Sequence, residues 1–328
     1  MRRWERWLPQ AAAALVTVAG LAPSVATTSA GSGSASNVPS SHYVVLSGDD
    51  QAADALGYRS GCTDGRAGRT GLRVLFFGTQ EKDGRIRPPG TAVATPAIRV
   101  GLDWAAHASA GWVRGFTQCG QANAVLALGV NNKSDGGADP ASAGTAWAQL
   151  VDQVGAAAPP SRVAVTGALD GEPSWSPARW ATSWVKAYTS ASSRLLYAAN
   201  SADGCPTTGQ AENCSNGWTV GDVYQVSTGA APTVVALPQI YRTDGTQARQ
   251  WGYISQWGTQ HGGGPLRVVG ALSQQAACRQ QPGCARTDNS PDAARQQLAQ
   301  ALDSGATTKH DTALVSTDVD WLRPTDPR

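Results

Sequence analysis

The sequence predicts an α/β fold of TIM type, a (β/α)8 barrel with one irregular unit, on three observations. Short apolar runs rich in Val, Leu and Ile alternate with segments of helical period, the order expected of parallel strands joined by crossover helices. Without its first 30 residues the chain of 328 is just under 300 long, a size at which such barrels form one domain. Nearly every predicted strand ends on an amide or an acid, as in barrels that keep their chemistry at the carboxyl ends of the strands. An open doubly wound parallel sheet is the alternative.

Taken in order, the first segment stands apart from the fold. Arg2, Arg3 and Arg6 precede an apolar run over 11–22 that is too short to span a bilayer, and small residues follow, so residues 1–30 read as a signal peptide. Residues 31–41, rich in Gly and Ser, read as a flexible tether, and 42–328 as one domain. The clear strands are 73–77, 124–130, 163–169, 195–199, 234–240, 266–272 and 313–319. The eighth is either 43–46 or 222–227; only five residues separate the latter from the next strand, whereas a helical crossover needs about a dozen. This is the irregular unit.

Helix starts are marked by Thr95-Pro96, Ser176-Pro177 and Ser290-Pro291, each a capping hydroxyl before a proline suited to the first turn, and Gly305 marks the end of the last helix. Trp180, Trp184 and Tyr188 recur every four residues and form the stripe that packs on the sheet. Six cysteines suit three disulfides in an oxidising compartment, pairing Cys205 with Cys214, Cys278 with Cys284 and, by remainder, Cys62 with Cys119. There is no close Cys-x-x-Cys pair and His42, His107, His261 and His310 are scattered, so no metal site is expected. No phosphate-binding glycine loop or nicotinamide fingerprint is present, so no cofactor is expected either.

Net charge is +2, and the leader carries three Arg against one Glu, which leaves the exported part near neutral. Such a body is not built to wrap nucleic acid or an anionic membrane, and it is expected to act as a monomer.

The chemistry is concentrated where strands end. The run Val163-Ala164-Val165 leads to Asp170 and Glu172, two apart and therefore on one face if the strand continues through them. Two acids held together at that end, with Trp175 beyond, suit hydrolysis of a glycosidic bond: one protonates the leaving oxygen, the other stabilises or attacks the developing cation. The last strand repeats the pattern with Asp318, Asp320 and Trp321, and in a closed barrel it comes round to the first, so both acid pairs are expected to face one mouth. Crowded carboxylates raise the pKa of at least one of them. Glu172, the longer, is the expected acid, Asp170 its orienting partner, and Asp318 or Asp320 the base, nucleophile or electrostatic partner. Asn131, Asn200, Gln239 and Tyr241 end other strands with groups able to bind sugar hydroxyls. Twelve tryptophans stand against three phenylalanines, and Trp175, Trp218 and Trp321, near loops, are candidate platforms for a pyranose face. No Gly-x-Ser-x-Gly elbow and no histidine beside a nucleophile speak for an esterase or peptidase.

Gly78-Thr79-Gln80-Glu81, Asn131-Asn132-Lys133-Ser134-Asp135, Asp170-Gly171-Glu172-Pro173-Ser174-Trp175, Asn200 to Cys205, Pro238 to Arg242 and Asp318-Val319-Asp320-Trp321 resemble a group of secreted actinobacterial proteins of glycoside-hydrolase-like barrel type. More loosely, the Asp-x-Glu strand end is similar to barrels of the muramidase and chitinase kind. The resemblance implies a barrel fold and a glycan-related role, with Glu172 at the acid position. The function expected is therefore a secreted glycoside hydrolase acting on peptidoglycan or another extracellular polysaccharide, with a non-catalytic glycan-binding barrel at the cell surface as the alternative.

Overall fold

The computed structural model describes residues 38–209, 211–281, 283–304 and 313–324. The expected signal peptide, most of the expected tether and the helix stop at Gly305 lie outside them; the last two residues assigned to the tether, Ser40 and Ser41, instead open a barrel strand that pairs with Asp318 and Val319, so the domain begins before residue 42. Nine strands are formed, β1 (Ser40–Val44), β2 (Gly71–Gln80), β3 (Ile86–Arg87), β4 (Ala124–Asn131), β5 (Val163–Asp170), β6 (Leu196–Ala198), β7 (Val234–Ala236), β8 (Gly270–Ser273) and β9 (Val315–Leu322). The short β3 folds back antiparallel on β2; the other eight are parallel, in the order β7-β6-β5-β4-β2-β1-β9-β8. Isolated parallel bridges Ala236–Val268 and Gln239–Leu272 join the two ends of that order, which closes a TIM-type (β/α)8 barrel.

Between the strands run α1 (Asp50–Arg66), α2 (Leu102–Cys119), α3 (Pro140–Ala157), α4 (Ala178–Ala191), α5 (Val220–Tyr224), α6 (Thr246–Gln260), α7 (Gln275–Gln280) and α8 (Pro291–Asp303). The eighth strand is β1, so the expectation that 222–227 supplies it does not hold. That stretch is helical, α5 running straight into a π-helical turn at Gln225–Gly229, because a parallel crossover from β6 to β7 must climb back over the sheet. Its start is secured by a capping box between Thr219 and Asp222. Ser290 caps α8 with Pro291 in the first turn, as expected. At Ser176-Pro177 the serine hydroxyl instead accepts from Asn132 Nδ2 at 2.9 Å, and Thr95-Pro96 starts no helix; α2 begins seven residues after Thr95.

Alternation along the strands sorts side chains into two layers. Leu72, Val74, Phe76, Ala127, Ala168, Leu237 and Val319 fill the barrel, while Leu75, Leu126, Val165 and Leu169 face the helices. Trp180, Trp184 and Tyr188 are buried against the sheet as the stripe predicts. Trp104, Trp112, Trp147, Trp184, Trp218 and Trp251 are all fully buried, which accounts for half of the twelve tryptophans as packing. Trp218 is therefore no platform: its indole donates to the Ser176 carbonyl at 2.7 Å. The three disulfides pair as expected, with Cys62–Cys119 joining α1 to α2. They suit an oxidising or extracellular setting. No helix among the described residues is long and apolar enough to cross a membrane.

Candidate active site

At the carboxyl end of the strands lies a hollow of about 400 Å³. Asp170, the last residue of β5, points into it because its inward parity is that of Ala168, and Glu172 keeps that parity two residues on. The same hollow is lined by Tyr43, Phe76, Tyr241 and Trp321, and by Pro89 and Gly90 of the loop after β3. Tyr43 packs against Trp321 and Phe76 with ring centroids 5.1 and 5.5 Å away. The lining combines carboxyls with aromatic rings.

Each acid is held by a partner. Gln239 Nε2 donates to Asp170 Oδ1 at 2.7 Å and to the Ala199 carbonyl at 3.0 Å, which fixes the amide and aims the carboxylate. The Glu172 peptide is gripped from both sides by Asn132, whose Oδ1 accepts from its N–H and whose Nδ2 donates to its carbonyl, both at 3.0 Å. Burial raises the pKa of Asp170 to about 7 against the pull of Gln239 and Lys133. Glu172 is pushed well above the usual range, first by burial and then by the Asp170 charge. Of two acids that share one hollow, the charge on either one holds the proton on the other, and Gln239 favours the ionised form of both. The phenols of Tyr43 and Tyr241, 3.4 Å apart, are raised chiefly by burial, so they remain neutral.

Lys133 brings positive charge to the same rim, with its ammonium 4.6 Å from the centre of the Trp175 ring. That indole is half-exposed and lines the hollow, but the cation covers one of its faces. Asn131 also lines the hollow; its Oδ1 accepts from Thr79 Oγ1 at 2.9 Å and the Lys133 amide at 3.2 Å. Asp203 adds its carboxyl to the lining.

Three of the expected site residues lie elsewhere. Asn200 is fully buried and spends its amide on the Gly171 N–H (2.8 Å) and Ser227 Oγ (3.0 Å), so it shapes the loop and touches no ligand space. Asp318 and Asp320 do not share the mouth with Asp170 and Glu172. In β9 the inward parity belongs to Thr317, Val319 and Trp321, which turns both acids out toward the helices. Asp318 accepts from Ser273 Oγ and from the amides of Gln275 and Ala276, capping α7. Asp320 bonds His42 Nδ1, and Ser60 Oγ lies 3.2 Å from His42 Nε2. This Ser–His–Asp chain has the order of a nucleophilic relay, but Ser60 and His42 are each 1% exposed and sealed under α1. It is a structural clasp between α1 and the β1–β9 seam.

Sequence reasoning passed over Tyr43, Lys133 and Asp203 as site residues. Tyr43 shares the inward side of β1 with Ser41, a parity readable once β1 is recognised as a barrel strand. Asp203 and Lys133 sit in loops, where periodicity carries no signal.

Fold and hollow together define a (β/α)8 barrel with a site lined by carboxyls and aromatic rings at its C-terminal face. No family model and no curated protein matches the chain in sequence. Among solved structures, an endo-1,4-β-mannanase from Rhizomucor miehei is similar at 10% identity, over 87% of this chain and 86% of that one, with a TM-score of 0.39.

Proposed function

We propose that the protein is a secreted glycoside hydrolase that cleaves peptidoglycan or another extracellular polysaccharide by carboxylate chemistry. The observation that carries this reading is the Asp170–Glu172 pair at the end of β5, in one hollow with Tyr43, Trp175, Tyr241 and Trp321. Glu172, whose proton is held to higher pH by burial and by the Asp170 charge, donates it to the leaving glycosidic oxygen. Asp170, aimed by Gln239, orients the sugar and balances the positive charge that develops at the anomeric carbon; a water then adds to that carbon and gives its proton back to the Glu172 carboxylate, which restores the acid. That second role passes to Asp170 because Asp318 and Asp320 face the helices. Trp321 and the exposed part of Trp175 offer apolar surface to pyranose rings, with Asn131 and Tyr241 as hydrogen-bonding groups. Residues 1–30 would direct export, and the stretch from 31 to the start of β1 would tether the barrel.

The test is incubation of the exported chain with purified cell wall and a panel of polysaccharides, scored as new reducing ends. Glu172→Gln is expected to lower sugar release by about 10²–10⁴-fold while the protein stays folded. Full retained activity would remove Glu172 from the mechanism. A non-catalytic glycan-binding barrel is the second reading, favoured by the departure of Asp318 and Asp320 from the hollow. It predicts binding of wall polymer without new reducing ends, unchanged in Glu172→Gln.

A further inference from the structure

The loop after β6 is built to hold one carboxylate in place. Gly204, at φ +69°, turns the chain directly after Asp203, and a Cβ there would meet Ser215 Oγ at 2.4 Å. The Ser215 amide donates to the Asp203 carbonyl at 2.9 Å, and the Cys205–Cys214 disulfide closes the loop around that contact. The same loop is stitched to the one that carries Glu172: Ser201 N–H donates to the Gly171 carbonyl (3.2 Å) and Asn216 Nδ2 to the Pro173 carbonyl (3.2 Å). Ser174 Oγ then donates to Asp203 Oδ2 at 3.1 Å. This last bond comes from a hydroxyl, which limits where the Asp203 side chain can point and brings no second charge with it.

We propose that Asp203 is the charge-setting residue of this site, a positioning residue that acts through Glu172 and not on the bond that breaks. This rests on the reading of Glu172 as proton donor. A negative charge held beside other carboxyls in one hollow favours their neutral form. Burial is the main cause that raises both Asp170 and Glu172, and the Asp203 charge acts on each of them in the same direction. Lys133 opposes it at both. Burial thus raises the pair, and one anion and one cation on the same hollow move in opposite directions the pH at which its protons leave.

The experiment is a carboxyl ¹³C NMR titration of the disulfide-intact exported chain, labelled at Asp and Glu, for wild type, Asp203→Asn and Ser174→Ala. Asp203→Asn keeps the size and the serine contact but removes the charge; near-ultraviolet circular dichroism checks the fold. The upper titration step of the Asp170–Glu172 pair is expected to fall by about one pH unit in Asp203→Asn. It is expected to stay in place in Ser174→Ala, and the basic limb of sugar release should move down with it in Asp203→Asn alone. A folded Asp203→Asn protein whose pair titrates like wild type overturns the proposal, as does an equal shift in Ser174→Ala. The titration needs no turnover, so the two readings fail separately. A shifted titration without sugar release sinks the hydrolase and leaves Asp203 in its role, whereas normal release with an unmoved titration sinks the role alone.

Discussion

Lys133 shows how much one side chain does at this site. Its ammonium lies over Trp175 and favours the ionised form of both Asp170 and Glu172. Replacing it with methionine keeps the apolar stem against the indole and removes the charge. Both carboxyls should then hold their protons to higher pH, by up to about one pH unit, and the pH profile of sugar release should move up on both limbs. A profile that stays in place would mean that bulk water screens the lysine from the pair. The shift is opposite in sign to that expected for Asp203→Asn, so the double variant should titrate close to wild type. Asn132 works differently. It touches the Glu172 peptide and not its carboxyl, so its role is to fix where the acid leaves the strand.

Between elements, the tightest contact is the one between α1 and α2. Gly57, Gly61 and Gly65 repeat every four residues along α1, and a Cβ on Gly61 would lie 2.0 Å from the Trp112 carbonyl oxygen. Gly111 and Gly115 answer from α2, where a Cβ on Gly115 would lie 2.1 Å from the Tyr58 carbonyl oxygen. The two backbones touch, and Cys62–Cys119 locks them in that register. Gly61→Ala gains about 1 kcal/mol of helix propensity but forces the pair apart, so urea unfolding should show a net loss of about 1–3 kcal/mol. Gly57→Ala should do the same, and a stabilised variant at either position would refute the close approach. This interface is legible in the sequence as glycines four apart, yet an amphipathic pattern read for apolar residues passes over it, because glycine scores as neither face. The strands were readable for the opposite reason: their Val, Leu and Ile runs are buried on both faces. Asp170 and Glu172 were readable because a strand end fixes their parity. Asp318 and Asp320 obey the same rule with the opposite result, since Val319 and Trp321 take the inward side of β9 and leave the acids to the helices. The eighth strand was ambiguous because 222–227 is as apolar as a strand, and only the geometry of the crossover makes it helical.

For the molecule as a whole, the site trades stability for chemistry, and the trade has a pH signature. Asp170 is raised to about 7 by burial, Glu172 is raised well above the usual range by burial and then by the Asp170 charge, and Asp318 is raised too, mainly by burial. A carboxyl whose folded pKa lies above its unfolded value binds more protons in the folded chain. Its contribution is then fully present below the unfolded pKa, about 4, and is lost as pH rises through the folded one. Asp83, Asp139 and Asp244 shift the other way through hydrogen bonds, but they are on the surface and solvent screens them. Stability should therefore decline between about pH 4 and pH 7 as the hollow acquires charge. The double variant Asp170→Asn, Glu172→Gln removes that charge at nearly constant volume. It should be more stable than wild type by about 1–4 kcal/mol at pH 8, with the gain shrinking toward zero near pH 4. Urea midpoints at pH 4, 6 and 8 measure this directly. A gain of equal size at all three would point to packing, and no gain at pH 8 would mean that the pair is hydrated and the hollow is not the buried acid site described above.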